Sequence, residues 1–384
     1  MRHYNSVFHD LLKRLPWATF EQLVARHEAD KHVRRLGTKD QFVALLYGQL
    51  SGASSLREIV GGLASHSARL YHVGARQAQR STLADANARR PSDVFCGLFA
   101  AMVAQTQRGL RRKIGDATYL IDSTGVRLSG MGSDWAYFSA KACGAKLHVI
   151  YDADAERPIY AAVTAAKIND ITAAQAMPIE AGATYVFDLG YYDYAWWAKL
   201  DAAGCRIVTR FKANTRLTVT AEFELPEDSA ILSDRIGLLP QRLARSRKNP
   251  FADLVREVRV KTETGHILRI LCNDLNADAE EIADLYKRRW AIELFFRWVK
   301  QNLKIRHFIG TSENAVRIQI AVALIAYLLL RLAHADQKTI AQPLAFARLV
   351  RLNLMHRKRI DRLIEHKTAP PKQTKQLDLS WCPI

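Results

Sequence analysis

The chain has 384 residues, 56 Lys and Arg against 38 Asp and Glu, a formal net charge of +18 and a pI near 9.8. That length suffices for two or three domains and a sizeable core, and a cation excess this large points to a polyanionic partner, either nucleic acid or an anionic membrane surface. MRHYNSVFHDLLKRL at the start has no uninterrupted apolar stretch of the secretory kind, and the five cysteines (Cys96, Cys143, Cys205, Cys272, Cys382) include no C-x-x-C pair. Scattered thiols of this sort suit a reducing cytoplasm and argue against a zinc site or a disulfide framework.

Residues 1–112 are predicted to be helical. FEQLVARHEA and KDQFVALLYGQL carry apolar residues at three- and four-residue spacing. SSLREIVGGL opens with a capping-box pattern, and two further helices break at Pro91. Short helices with Arg76, Arg80, Arg89 and Arg90 nearby suit a helix-turn-helix-like DNA-binding region, and they suit a plain helical bundle equally.

From Tyr119 the pattern changes. TYLIDSTGVRLS, AKLHVIYDAD and PIYAAVTAAK predict three consecutive antiparallel strands. A helix capped by Asn169 or Asp170, the strand TYVFD, the helix YYDYAWWAKLDAAG and the strand CRIVTRFK follow. This order predicts an α/β layer arrangement with one mixed sheet. Residues 214–272 predict a β-rich insertion with a basic loop, QRLARSRKNP. Helices resume at ADAEEIADLYKRRW, and 336–384 form a basic helical tail. The longest apolar run, Ile320 to Leu330, ends at Arg331 and is shorter than the ~20 residues of a bilayer crossing, so it is expected to be a buried helix. Nucleic acid is therefore the expected partner.

The stretch LYKRRWAIELFFRWVKQNLKI is cationic and holds a single acid, Glu293. On one helix at ~100° per residue, Tyr286, Arg289, Glu293 and Lys300 share a narrow stripe. Leu285, Ile292, Phe296, Val299 and Leu303 make an adjacent core stripe, with Arg297 and Lys304 flanking the polar one. A solvated Arg289–Glu293 pair four residues apart would explain this much by itself. Two further acids end apolar runs, Asp122 after TYLI and Asp188 after TYVF, at strand ends where open α/β sheets carry their sites. Either one alone is more often a turn or cap residue. Together with Glu293 they form a hard-oxygen set suited to two Mg²⁺ ions acting on a phosphodiester, and the neighbouring cations suit DNA phosphates. Arg210 and Lys212 after CRIVT are candidate phosphate contacts. Asp170 and Asp193 are expected to be caps, and His148 a sheet histidine.

Tyr286, Arg289, Glu293 and Lys300 match the pattern Y-x2-R-x3-E-x6-K, and with Asp122 in IDSTGVRL and Asp188 in FDLGYYDY the chain resembles the IS-four family of bacterial insertion-sequence transposases, within the DDE class. The resemblance implies an RNase H-like core over 115–335 with the β-rich insertion, between all-α N- and C-terminal regions. It implies a catalytic and metal-binding triad of Asp122, Asp188 and Glu293, with Mg²⁺ and with Mn²⁺ as substitute. It further implies cut-and-paste transposition, in which water cuts double-stranded DNA at the transposon ends and the freed 3′-OH then attacks the opposite strand or target DNA. Two copies would meet in a paired-end complex on bacterial cytoplasmic DNA. Tyr286, Arg289 and Lys300 would clamp phosphates without touching metal, and Arg297, Lys304 and Arg210 would add DNA contacts. Trp290 would stack on a displaced base, although a core position suits it equally. A DNA-binding descendant without catalysis, or a resolvase or repair nuclease on the same core, remains an open alternative.

Overall fold

The computed structural model describes residues 5–108, 114–128, 134–139, 142–225, 229–242, 248–303 and 308–364. The helical first part comprises α1 (Val7–Leu12), α2 (Trp17–Arg26), α3 (Thr38–Ser51), α4 (Leu56–Ser65), α5 (Ser67–Leu70), α6 (Arg80–Arg89) and α7 (Asp93–Arg108). Its signals are local. The Ser55 hydroxyl accepts from the Glu58 amide at 3.2 Å to start α4, and α6 stops before Pro91.

The sheet follows as β1 (Thr118–Leu128), β2 (Tyr137–Ser139), β3 (Ala142–Asp152), β4 (Arg157–Ala165), α8 (Asp170–Ala174), β5 (Thr184–Phe187), α9 (Tyr194–Ala202) and β6 (Arg206–Arg210). Next come β7 (Thr218–Glu222), β8 (Ile231–Leu238), β9 (Leu254–Lys261) and β10 (Ile267–Cys272). The chain then forms α10 (Ala279–Arg288), α11 (Trp290–Asn302), α12 (Glu313–Ala335) and α13 (Pro343–Asn353). All ten strands join one mixed sheet in the order β2-β3-β1-β5-β6-β10-β9-β8-β7, with β4 also on β3. Among the described residues only β1–β5 and β5–β6 pair in parallel. The strands of 214–272 thus continue the sheet through the antiparallel pairing of β10 with β6.

Alternation along the strands sorts side chains to two cores. Tyr119, Ile121, Tyr185 and Phe187 pack with Trp196, Trp197 and Leu200 of α9 on one face. Leu120, Val186 and Val208 face the other way, into the larger core shared with α10, α11, α12 and the N-terminal helices. The spine of that core is α12, 23 residues long and, by length and composition, apolar enough to cross a membrane; most of its apolar stretch is buried against α1, α3, α6, α7, α13 and β4. The apolar run that seemed too short to span thus lies in a longer helix, and neighbouring helices cover it.

Close packing leaves room for a clear test. Gly237 of β8 is buried, and a Cβ there would lie 2.8 Å from Leu217 Cγ and 2.9 Å from the Thr218 carbonyl carbon. Because one of those neighbours is backbone, Gly237→Ala must push β7 off β8. We expect it to cost about 1–3 kcal/mol, the range for overpacking. A urea midpoint equal to the parent's would show that the edge yields freely.

Candidate functional site

The site lies where the parallel ladder stops. Its last paired residues are Ile121 of β1 and Phe187 of β5, and the next residue on each strand is an acid, Asp122 and Asp188. Asp188 does follow a strand end. Asp122 does not: it is the fifth residue of the eleven in β1, because pairing with β3 carries that strand on to Leu128. By alternation Asp122 shares the face of Leu120, towards α10 and α11, whereas Ser123 shares the opposite face, towards α8.

Glu293 approaches from α11. The cationic stretch is not one helix: α10 ends at Arg288 and α11 begins at Trp290. Between them the Arg289 N–H donates to the Tyr286 carbonyl at 3.1 Å and the Ile292 N–H to the Arg289 carbonyl at 3.2 Å. These three-residue hydrogen bonds make a tighter 3₁₀-type turn, so a single helical wheel does not run through it. The core stripe of Leu285, Ile292, Phe296, Val299 and Leu303 is nevertheless buried. Phe295 fixes α11 in place, its ring 5.1 Å from that of Tyr151 on β3 and 5.0 Å from that of Tyr327 on α12.

Arg289 holds the acids together. One guanidinium nitrogen donates to Glu293 Oε1 at 2.6 Å, and another stands 3.6 Å from Asp122 Oδ2. Its side chain is 18% exposed, so this is more than the solvated surface pair that spacing alone allows. Backbone amides orient the two aspartates: Ser123 N–H donates to Asp122 Oδ1 at 2.7 Å, and Gly190 N–H to Asp188 Oδ1 at 2.8 Å. Burial, reinforced by the like charges of Asp188 and Glu293, pushes the Asp122 carboxyl up to about 6, against the opposing pull of the Ser123 amide and Arg289.

That shift has a signed consequence. The folded protein binds the Asp122 proton more tightly than the unfolded chain does, so this group's stabilisation is complete below about pH 4 and is lost as pH rises through about 6. In metal-free buffer Asp122→Asn should remove that fall and stabilise the neutral-pH protein by roughly 2–3 kcal/mol. Parallel stability–pH curves for parent and variant between pH 4 and 7 would refute it.

The remaining predicted residues divide. Tyr286 is buried beside the site, and its phenol is raised by burial, with Arg289 and Arg210 opposing and Asp188 adding. Arg210 ends β6, its buried Nε without a hydrogen-bond partner. Trp290 is 51% exposed, which removes the core alternative, and the Arg297 guanidinium lies over its ring at 5.9 Å. Lys300 is partly exposed in the last turn of α11, and Lys212 sits over the Tyr192 ring at 4.3 Å. Lys304 and most of the tail beyond α13 lie outside the described residues. Of the N-terminal arginines, Arg76, Arg80 and Arg89 are exposed. Arg90 is buried and bonded to Gln41 and the Leu36 carbonyl, a structural role.

His148 is a fully buried sheet histidine, lowered to about 4 chiefly by burial. Asp193 caps α9 through the Trp196 amide at 2.7 Å. Asp170 is no cap: its carboxylate binds Ser123 and Lys146 instead. Sequence reading missed Ser123, Lys146 and Tyr191: Ser123 follows an acid and Tyr191 ends a tight turn, while Lys146, in the middle of β3, carries no local signal.

Among the described residues no three His, Cys, Asp or Glu side chains stand close enough to hold a metal ion as placed. Arg289 engages two of the three acids, Asp122 and Glu293. The donor set itself suits a hard divalent cation: three carboxylates lie in one region, and the charges of Asp188 and Glu293 reach the largely buried Asp122.

Two carboxylates thus share one guanidinium, and a third stands at the equivalent end of the parallel ladder, in a strongly basic chain. Residues 114–329 match the family model described as Transposase DDE domain, and residues 3–76 match one described as Domain of unknown function (DUF4372). The chain is 40% identical over 278 residues to a Sinorhizobium fredii protein named as a transposase, y4zB, covering 72% of this chain and 78% of that one. It is 30% identical over 258 residues to a Geobacillus stearothermophilus protein named as the transposase of insertion sequence element IS5377, covering 65% of each. Among solved structures, a piggyBac transposase synaptic complex with hairpin DNA aligns over 98% of this chain and 89% of that chain, at 12% identity and a TM-score of 0.44. The chain belongs to the DDE-domain transposases.

Proposed function

We propose that this protein is the cut-and-paste transposase of an insertion sequence of the IS-four kind, with an RNase H-like core. It binds the element's terminal inverted repeats, cleaves DNA at the ends and joins the freed 3′-OH ends to target DNA. The observation that carries the reading is the placement of Asp122 and Asp188 at equivalent positions past the parallel ladder, with Glu293 brought to Asp122 through Arg289.

Asp122, Asp188 and Glu293 would hold the divalent ions, Mg²⁺ or Mn²⁺, which supply charge stabilisation at the attacked phosphorus and an activated attacking oxygen. The Ser123 and Gly190 amides hold their carboxylates in orientation. Tyr286, Arg289, Arg210 and Lys300 present donors and positive charge to the phosphates flanking the cut, which positions the scissile bond. The exposed Trp290 ring, backed by Arg297, offers a stacking platform for an unpaired base at the end. Arg76, Arg80 and Arg89 give the N-terminal helices a cationic surface for the repeat duplex. Two copies would pair the ends on the DNA of a bacterial cytoplasm.

The test uses the purified chain with a duplex carrying the inverted repeats that flank its coding sequence. Expected are Mg²⁺-dependent cuts at the repeat ends, 3′-OH termini, strand transfer into plasmid DNA and inhibition by EDTA. Cutting that ignores the repeat sequence, or yields no strand transfer, would indicate a general nuclease.

A further inference from the structure

Behind Asp122 and Asp188, on the α8 side of the sheet, lies a second polar cluster that the reaction as proposed does not use. Asp170 Oδ1 accepts from the Ser123 hydroxyl at 2.7 Å and from Lys146 Nζ at 3.2 Å, and Lys146 also donates to the Ile168 carbonyl at 3.0 Å. Its other oxygen faces Gly190: a Cβ built there would lie 3.5 Å from Asp170 Oδ2 and 3.0 Å from Asp188 Oδ1. The phenol of Tyr191 is 1% exposed, and its hydroxyl completes no hydrogen bond. Burial raises it far above its ordinary range, with Asp122, Asp170 and Asp188 adding and the neighbouring Ser123 hydroxyl opposing, so the protonated phenol stands beside Ser123 and three carboxylates.

We propose that Asp170 is a positioning residue that sets the placement of both aspartates, acting through Ser123 on Asp122 and beside the Gly190 turn and the Tyr191 hydroxyl on Asp188. Ser123 is the link on one side, because its hydroxyl is held by Asp170 while its own N–H holds Asp122. Gly190 is the link on the other: its N–H holds Asp188, a Cβ there would crowd the Asp188 carboxylate, and Asp170 packs against the same turn. Lys146 fixes Asp170 in place, so Asp170 orients its neighbours as an outer carboxylate and does not ligate metal. The Tyr191 hydroxyl would offer a donor to an aspartate oxygen that turned towards it. An unsatisfied buried hydroxyl is costly, and such groups concentrate where a working state supplies the partner.

This inference rests on the proposed role of Asp122, Asp188 and Glu293. Its test uses the full chain and two readouts: Mn²⁺ binding without DNA, followed by electron paramagnetic resonance, and the cleavage rate constant on the terminal-repeat duplex. Ser123→Ala, Asp170→Asn and Tyr191→Phe should each weaken Mn²⁺ binding or slow cleavage ~10–100-fold, as loss of an outer-shell partner does, with DNA binding as in the parent. The Ser123→Ala, Asp170→Asn double variant should lose no more than the worse single one, since both break one linkage. If Asp170→Asn fails to fold, Ser123→Ala, which removes only a hydroxyl, decides the matter. Variants that bind Mn²⁺ and cleave like the parent overturn the proposal, whether or not they lose stability, since a mere clip between strands predicts that result. Asp122→Asn is run alongside: parental Mn²⁺ binding and cleavage there would remove the underlying reading of the acids, and this inference with it.

Discussion

Asp122→Asn, Asp188→Asn and Glu293→Gln should each abolish divalent-ion-dependent cleavage while terminal DNA is still bound. The loss should exceed the ~10–100-fold typical of outer-shell changes, because the substituted oxygen would itself be a ligand. Binding should survive, since each change removes a negative charge from a surface that must accept phosphates. Asp122→Asn carries an added signature: the inactive variant should be more stable than the parent in EDTA, for its buried carboxylate is crowded by Asp188 and Glu293. Ordinary damage to a fold lowers activity and stability together, so opposite movements of the two separate a site residue from a structural one. Single-turnover cleavage and urea denaturation on the same preparations would decide it. A variant with near-parental cleavage removes its residue from the site.

Arg289→Ala should have the largest effect among the cationic residues, and it should act in two ways. Without metal, the guanidinium is the cation bonded to Glu293 and standing beside Asp122. Its removal leaves converging carboxylates without that partner. Breaking a buried ion pair costs 3–5 kcal/mol; with Asp122 18% and Glu293 30% exposed here, about 2 kcal/mol is the expected loss. With metal the sign turns. A phosphate clamp that never touches the metal site should leave divalent-ion affinity unchanged, which is what spacing along a helix suggests for both Arg289 and Lys300. The contacts revise this for Arg289 alone. It competes with a cation for Asp122 and Glu293, so Arg289→Ala should bind Mn²⁺ more tightly and recover more stability on Mn²⁺ addition than the parent. Lys300→Ala should leave Mn²⁺ affinity unchanged, and both variants should weaken paired-end complexes and lower the salt slope of DNA binding by about one unit. Calorimetric Mn²⁺ titrations showing equal affinity in parent and Arg289→Ala would return Arg289 to a purely external clamp.

What the sequence by itself determined is local or compositional. Strand and helix order follow from apolar periodicity, the cap at Ser55 from a hydroxyl three residues before Glu58, and the acids ending TYLI and TYVF from a break in hydrophobicity. The resemblance carried by Tyr286, Arg289, Glu293 and Lys300 with Asp122 and Asp188 pointed to a DDE transposase, and the match over 114–329 shows that family. Only the tertiary structure decided which of these groups meet. The parallel register of β1 with β5 places Asp122 and Asp188 at equivalent positions, and no local signal encodes pairing between strands so far apart. The 3₁₀-type turn at Arg289 breaks the helix that a uniform periodicity assumes. The same turn sets the guanidinium between an acid four residues away and another in a distant strand. Asp170 illustrates the limit most clearly. At a helix start it has the sequence signature of a cap, yet its partner is Ser123, 47 residues earlier, because strand alternation turns Ser123 to the α8 face and Asp122 to the other.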